Sequence, residues 1–275
     1  MRQSGESLAG RIAYHELPPL VDCEVGSGQT DTLWLRGGFP VSFLAETEEE
    51  SLQWREDFIM TYLQRDLAQM GYDIRLPAMT LRRMWQMLAH CHGQLLNLSL
   101  VATNLGISRQ SLRKCLAILQ ETFMVRHVQP FHTNLKKRLV KTPKIYVRDS
   151  GILHALLGIR TWADLLGHSV VGSSWEGFCM DQVLSRLPNQ WDAFFYRTQA
   201  KAEIDLVLQR GYANPPVLVE FKHSQTPKLT KGFWNSKNDL SPKACYVVYP
   251  GQQAYPLTED VEALPLNQIE RIWEE

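Results

Sequence analysis

From Glu46 to about Met70 the apolar residues Trp54, Phe58, Tyr62 and Leu63 recur at spacings of three and four, which predicts an amphipathic helix. It opens on the acidic run Glu46 to Glu50, a charge that suits the positive end of a helix dipole. Ahead of it, GSG at 26–28, GG at 37–38 and Pro18, Pro19 and Pro40 give a stretch rich in turn formers, read as an irregular lead-in.

Residues 80–148 have a different rhythm. Leu81, Met84, Trp85 and Leu88 form one face of a helix spanning roughly Leu81 to His92. Ser99 is placed to cap a short second helix that stops at Gly106, and Ser108 a third whose inner face carries Leu112, Cys115, Leu116, Leu119 and Phe123. Two β-rich runs follow, Met124 to Val128 and Lys144 to Arg148, with the polar loop HTNLKKRLVKTPK between them. Three helices and a two-stranded wing predict a winged helix-turn-helix. Residues 150–168 read as a helical connection. After it come a helix from Trp175 to Leu187 and strands at Ala193–Arg197, Glu203–Leu208 and Val217–Lys222. An amphipathic stretch (Thr226–Leu240) and a buried-type strand (Ala244–Tyr249) complete an αβββαβ order. The expected fold class is therefore mixed, α+β or α/β, with a lead-in and helical segment at 1–79, the winged unit at 80–150 and the αβββαβ unit at 151–275.

Composition narrows the class. At 275 residues, 44% hydrophobic and 21% charged, the chain has the make-up of a folded protein of two or three domains. No apolar run approaches the roughly 18 residues that a spanning helix needs, and the first residues lack a signal-peptide core, so a cytoplasmic protein without a membrane is expected. Five single cysteines without a CxxC pair read as free thiols. Net charge is zero, yet residues 108–148 carry ten Lys or Arg against one Glu, and the remainder balances this with −9. That excludes a wholly basic coat and leaves room for one basic patch. Arg109, Arg113 and Lys114 fall off the apolar face of the third helix, and Lys136, Lys137, Arg138 and Lys141 fall in the wing loop. In a winged helix these two elements meet the major groove and the backbone, so DNA is the expected partner, through phosphate contacts that give salt-dependent affinity. A basic face that docks protein is the rival reading.

Glu176, Asp205, Glu220 and Lys222 are the candidate catalytic set. Alternate strand residues share a face, so Glu203 pairs with Asp205 and Glu220 with Lys222. Asp205 and Glu220, with Glu176 from the inward stripe of its helix, offer oxygen ligands to Mg²⁺ or Mn²⁺. Such an ion lowers the pKa of bound water and offsets charge on a phosphate under attack, and Lys222 is placed to orient that water. The bland alternative is a set of solvated ion pairs. His90-Cys91-His92 is no ligand pair, because positions i and i+2 of a helix point apart.

Glu176, then YRT (196–198), EIDLVL (203–208) and VEFK (219–222), resembles the core of the PD-(D/E)XK nuclease superfamily. The whole chain resembles the C-terminal region of a bacterial and archaeal AAA-type ATPase family that carries the domain of unknown function DUF4143. The matching stretches are ESLAGRIAYHELPPL (6–20), LRGGFP (35–40), TYLQRDL (61–67) and KTPKIYVRDSGILHALLG (141–158). The resemblance implies an ATPase module, a winged helix and a nuclease-like domain. The chain has no GxxxxGK[ST] loop, and GSGQT at 26–30 lacks the phosphate-reaching lysine, so no ATPase activity is expected from it. The stretch around Arg11 resembles the tail of such a module, which suggests a truncated product working with an ATPase module in trans. Two functions follow as expectations: a Mg²⁺-dependent, DNA-associated nuclease-like module, or a non-catalytic nucleic-acid- or protein-binding appendage of an ATPase.

Overall fold

The computed structural model describes residues 10–13, 15–26, 28–72, 76–131, 139–211 and 213–274. Three short helices come first: α1 (Asp22–Val25), α2 (Thr30–Arg36) and α3 (Pro40–Phe43). The expected long helix follows as α4 (Glu48–Thr61), a π-helical turn at Tyr62–Asp66 and α5 (Leu67–Gln69). Then come α6 (Ala78–His90), β1 (Gln94–Leu95), α7 (Leu98–Leu105), α8 (Arg109–Glu121), β2 (Val125–Pro130), β3 (Lys144–Val147), α9 (Ser150–Leu157) and α10 (Trp162–Gly167). The last stretch holds α11 (Val171–Arg186), β4 (Asp192–Arg197), β5 (Glu203–Gln209), β6 (Val217–Phe221), α12 (Lys231–Leu240), β7 (Ala244–Tyr249), β8 (Tyr255–Thr258), β9 (Val261–Pro265) and α13 (Arg271–Glu274).

Local chemistry sets the helix starts. Thr47 caps α4, with its side chain accepting from the Glu50 amide, and Ser108 caps α8 by accepting from Ser111. The cap of α7 is Asn97, two residues ahead of the expected Ser99; its side chain accepts from Leu100. Phe123 does not extend the inner face of α8. It follows the helix end at φ 62° and is 53% exposed.

Among the described residues the strands form one mixed nine-stranded sheet in the order β1-β3-β2-β4-β5-β6-β7-β9-β8. The β2–β3 pair is antiparallel, with His127 opposite Ile145. The sheet continues across the expected boundary at residue 150, because β2 runs parallel to β4, pairing Gln129 with Phe194 and Pro130 with Phe195. Strand β5 lies antiparallel to both β4 and β6, and β7 lies parallel to β6. Strands β8 and β9, absent from the expected order, extend this end.

Three apolar cores hold these layers. One lies between α2, α11 and the sheet, where Trp34, Trp175, Phe178, Phe195, Leu206 and Val219 are buried. A second fills the helical unit around Leu81, Trp85, Leu112 and Leu119, and includes Ile145 and Val147 of β3. The third lies under α12 with Phe233, Ile204, Val207 and Leu218. Strands β5 and β6 are thus covered on both faces, and their charged residues enter a largely water-free space.

Candidate metal and acid centre

Four elements deliver the charged groups. Helix α11 packs Trp175, Phe178, Cys179, Met180 and Val183 into the core and carries Glu176 on the side facing β3 and β5. Strand β5 brings Glu203 and Asp205, and β6 brings Glu220. Lys222 lies just past β6, where its backbone N–H donates to Val248 O at 3.0 Å. The fourth element is β3, with Lys144 and Tyr146 on one face.

Lys144 occupies the middle of the cluster. Its Nζ lies 2.8 Å from Glu203 Oε1, 3.1 Å from Glu176 Oε1 and 3.7 Å from Asp205 Oδ1, and its side chain is 2% exposed. The Phe195 ring lies 5.7 Å from the same nitrogen. Tyr146 Oη donates to Glu176 Oε1 at 2.5 Å, and Arg197 pairs with Glu203 at 3.3 Å. Asp205 Oδ2 accepts from the Phe221 amide at 3.1 Å. Lys222 Nζ donates to Glu220 Oε1 at 2.7 Å, which leaves Glu220 Oε2 buried with no partner.

The structure therefore brings all four sequence-chosen residues into one cluster, in two groups joined at Asp205. Burial, reinforced by the Asp205 carboxylate, raises the Glu176 carboxyl to about 7 and the Glu220 carboxyl to about 8. Burial works against the Lys144 charge, but Glu176, Tyr146, Asp205 and Glu203 outweigh it, so its pKa is raised well above the ordinary value. Lys222 is likewise raised, with Glu220 and Asp205 overcoming its burial. Among the described residues, no three His, Cys, Asp or Glu side chains are gathered as a ready coordination sphere. Glu176 is engaged by Lys144 and Tyr146, Asp205 by the Phe221 amide and Glu220 by Lys222, which leaves Glu220 Oε2 as the unpartnered oxygen beside Asp205. The unpartnered Glu220 Oε2 and the repulsion between the Glu220 and Asp205 carboxylates fit a divalent ion, and Mg²⁺ is commonly held by one or two carboxylates plus waters.

Sequence reasoning missed Lys144 and Tyr146 and gave Glu203 no role beyond its face. Alternation within KIYV at 144–147 was the available signal, since a lysine and a tyrosine share one face of a strand that is buried throughout. His92 serves the fold: its Nδ1 accepts from the Val147 amide at 3.1 Å, and burial holds it neutral, with its pKa down at about 3. His223 packs on Trp34 and Trp175.

The basic residues gather elsewhere. Arg109 and Arg113 are exposed on α8 and, with Lys141 and His127, line a cleft of about 750 Å³ between α7, α8 and the β2–β3 hairpin. Among the described residues, no acidic one lines it. Lys114 is exposed one residue beyond Arg113. Lys136, Lys137 and Arg138 lie outside the described residues. No helix among the described residues is long and apolar enough to cross a membrane.

Comparison with known proteins places this acid cluster. Residues 171–269, from α11 through β9, match the domain of unknown function DUF4143. The chain carries a DUF4143 domain there. Glu176, Glu203, Asp205, Glu220 and Lys222 all fall inside the DUF4143 segment, whereas Lys144 and Tyr146 come from a segment, residues 27–163, that matches a second domain of unknown function, DUF8612. The centre is thus assembled from both segments. An uncharacterized protein of Mycobacterium bovis and one of Mycobacterium tuberculosis are each 42% identical over 267 residues, covering 97% of this chain. The chain spans 59% of the length of these relatives. No solved structure matches the chain.

Proposed function

We propose that the chain is a DNA-associated module of the PD-(D/E)XK type, in which the DUF4143 domain holds a divalent cation at Asp205 and Glu220 for phosphodiester hydrolysis. The observation that carries this reading is the buried, unpartnered Glu220 Oε2 beside Asp205. Bound Mg²⁺ or Mn²⁺ would supply a water of lowered pKa and charge to offset a phosphate under attack. The chain's own residues do the rest. The Phe221 amide fixes Asp205 through Oδ2, and Tyr146 and Lys144 hold Glu176. Lys222 is about a third exposed and bound to one carboxylate, so it can turn toward a water or phosphate oxygen at the mouth of the site.

The helical unit fits the nucleic-acid side of this reading. Helices α6, α7 and α8 with the β2–β3 hairpin follow the winged-helix order, and α8 presents Arg109 and Arg113 outward beside Lys141. A cytoplasmic DNA partner, and an ATPase module acting in trans, belong to the same proposal. Nicking of supercoiled plasmid in Mn²⁺ tests it: activity in the wild type that is lost in Lys222→Ala supports hydrolysis at this site, and equal activity in both refutes it.

One observation favours a second reading. Lys144 already stands in ion-pair contact with three carboxylates, as a non-catalytic joint in a nucleic-acid- or protein-binding appendage would require. Absence of nicking in every protein, with DNA binding retained, decides for this reading.

A further inference from the structure

We infer that Lys144 is a built-in counter-cation that limits the acid centre to one divalent ion, held on the Asp205–Glu220 side. The inference rests on the cation-binding reading above and adds to it how many ions enter and which residue decides.

The centre holds four carboxylates, Glu176, Glu203, Asp205 and Glu220, enough by number for two divalent ions. The structure divides them unequally. Glu176, Glu203 and Asp205 Oδ1 surround the Lys144 ammonium, at 3.1, 2.8 and 3.7 Å. That nitrogen is within hydrogen-bond distance of Glu176 and Glu203 and in looser ionic contact with Asp205, so it is committed to the Glu176–Glu203 side. The Phe195 ring closes a further side at 5.7 Å. Its backbone cannot withdraw easily either: Lys144 stands in β3, paired with Leu95 of β1 on one side and Val128 of β2 on the other. A divalent ion between Glu176 and Glu203 would have to displace this ammonium or sit against it unscreened by water, whereas an ion beside Glu220 meets it only across Asp205.

Lys222 differs in each respect. Its side chain is 29% exposed and meets a single carboxylate oxygen, Glu220 Oε1 at 2.7 Å, so it can move to solvent when a cation arrives. The Asp205–Glu220 side is therefore open to an ion and the Glu176–Glu203 side is closed. Because Lys144 comes from the DUF8612 segment and the carboxylates from the DUF4143 domain, one segment sets the cation capacity of the other.

Calorimetric titration of the full chain with MnCl₂ tests this, with circular dichroism to establish folding. The wild type is expected to take one equivalent and Lys144→Met two. Two equivalents in the wild type, or one in a folded Lys144→Met, overturns the inference while leaving the cation reading intact. No binding in the wild type removes that reading, and this inference with it. Where Lys144→Met does not fold, Glu203→Gln decides. Mn²⁺ affinity within about tenfold of wild type is expected, since Glu203 faces Lys144; a larger loss would place the ion on the Lys144 side and overturn the inference.

Discussion

Glu220→Gln replaces a buried carboxyl by a neutral group of nearly the same shape and so isolates the cost of its charge. An acid whose pKa is raised by folding binds its proton more tightly in the folded chain. Its contribution is present at low pH and is lost as pH rises through the folded value. For Glu220, at about 8 against an ordinary 4.5, the folded chain loses about 2 kcal/mol between pH 6.5 and pH 9. Glu176, at about 7, loses about 1 kcal/mol over the same window. His92 and His154, both held neutral by burial at about 3, act with the opposite sign and still add about 0.4 kcal/mol each above pH 6.5, but they do so equally in both proteins and cancel from the difference. Urea denaturation at pH 6.5 and pH 9 is then expected to show Glu220→Gln losing about 2 kcal/mol less than the wild type, the buried thiols and histidines shifting both proteins alike. Lys222, left without its partner, can reach water and adds little to the difference. Equal losses in the two proteins would refute the claim that Glu220 is held near-neutral by burial and Asp205.

Further outcomes follow from particular contacts. A Cβ on Gly151 would lie 2.0 Å from the Arg36 carbonyl oxygen, so Gly151→Ala must push α9 off α2; a loss of about 3 kcal/mol or more in urea denaturation is expected, and under 1 would show that the helices part freely. Tyr146→Phe removes the hydroxyl that donates to Glu176, so the Glu176 pKa should rise further by carbon-detected NMR titration, and a fall would contradict the assigned bond. Arg113→Glu should weaken binding to a random DNA duplex and flatten its salt dependence, each phosphate contact contributing a slope of about one; an unchanged slope would point to protein docking instead.

The helical stripe and period-two alternation made much of the chain legible: α8 and its Ser108 cap, the β2–β3 hairpin and the order of α11, β4, β5, β6, α12 and β7 all stand in the pattern of apolar residues. They also brought Glu176, Asp205, Glu220 and Lys222 together, because face and element order are local properties. Lys144 was illegible for the opposite reason. A lysine opening a strand after a polar loop looks solvent-bound, and only the parallel pairing of β2 with β4 carries it to Glu203, 59 positions away. The helices before residue 44 are too short to show a period, and the π-helical turn at Tyr62–Asp66 interrupts a pattern that reads as one continuous helix. Asn97 and Ser99 are both good caps, and only the hydrogen bond to Leu100 separates them.

The central claim is that Asp205 and Glu220 share a divalent cation. Anomalous diffraction at the manganese edge, from crystals of the full chain grown with MnCl₂, tests it most directly. One peak between the carboxylates of 205 and 220, with Lys144 still among Glu176, Glu203 and Asp205, is the predicted result. Crystals that bind manganese only at other positions, or a density map with Glu220 still bonded to Lys222 and no peak beside it, would contradict it.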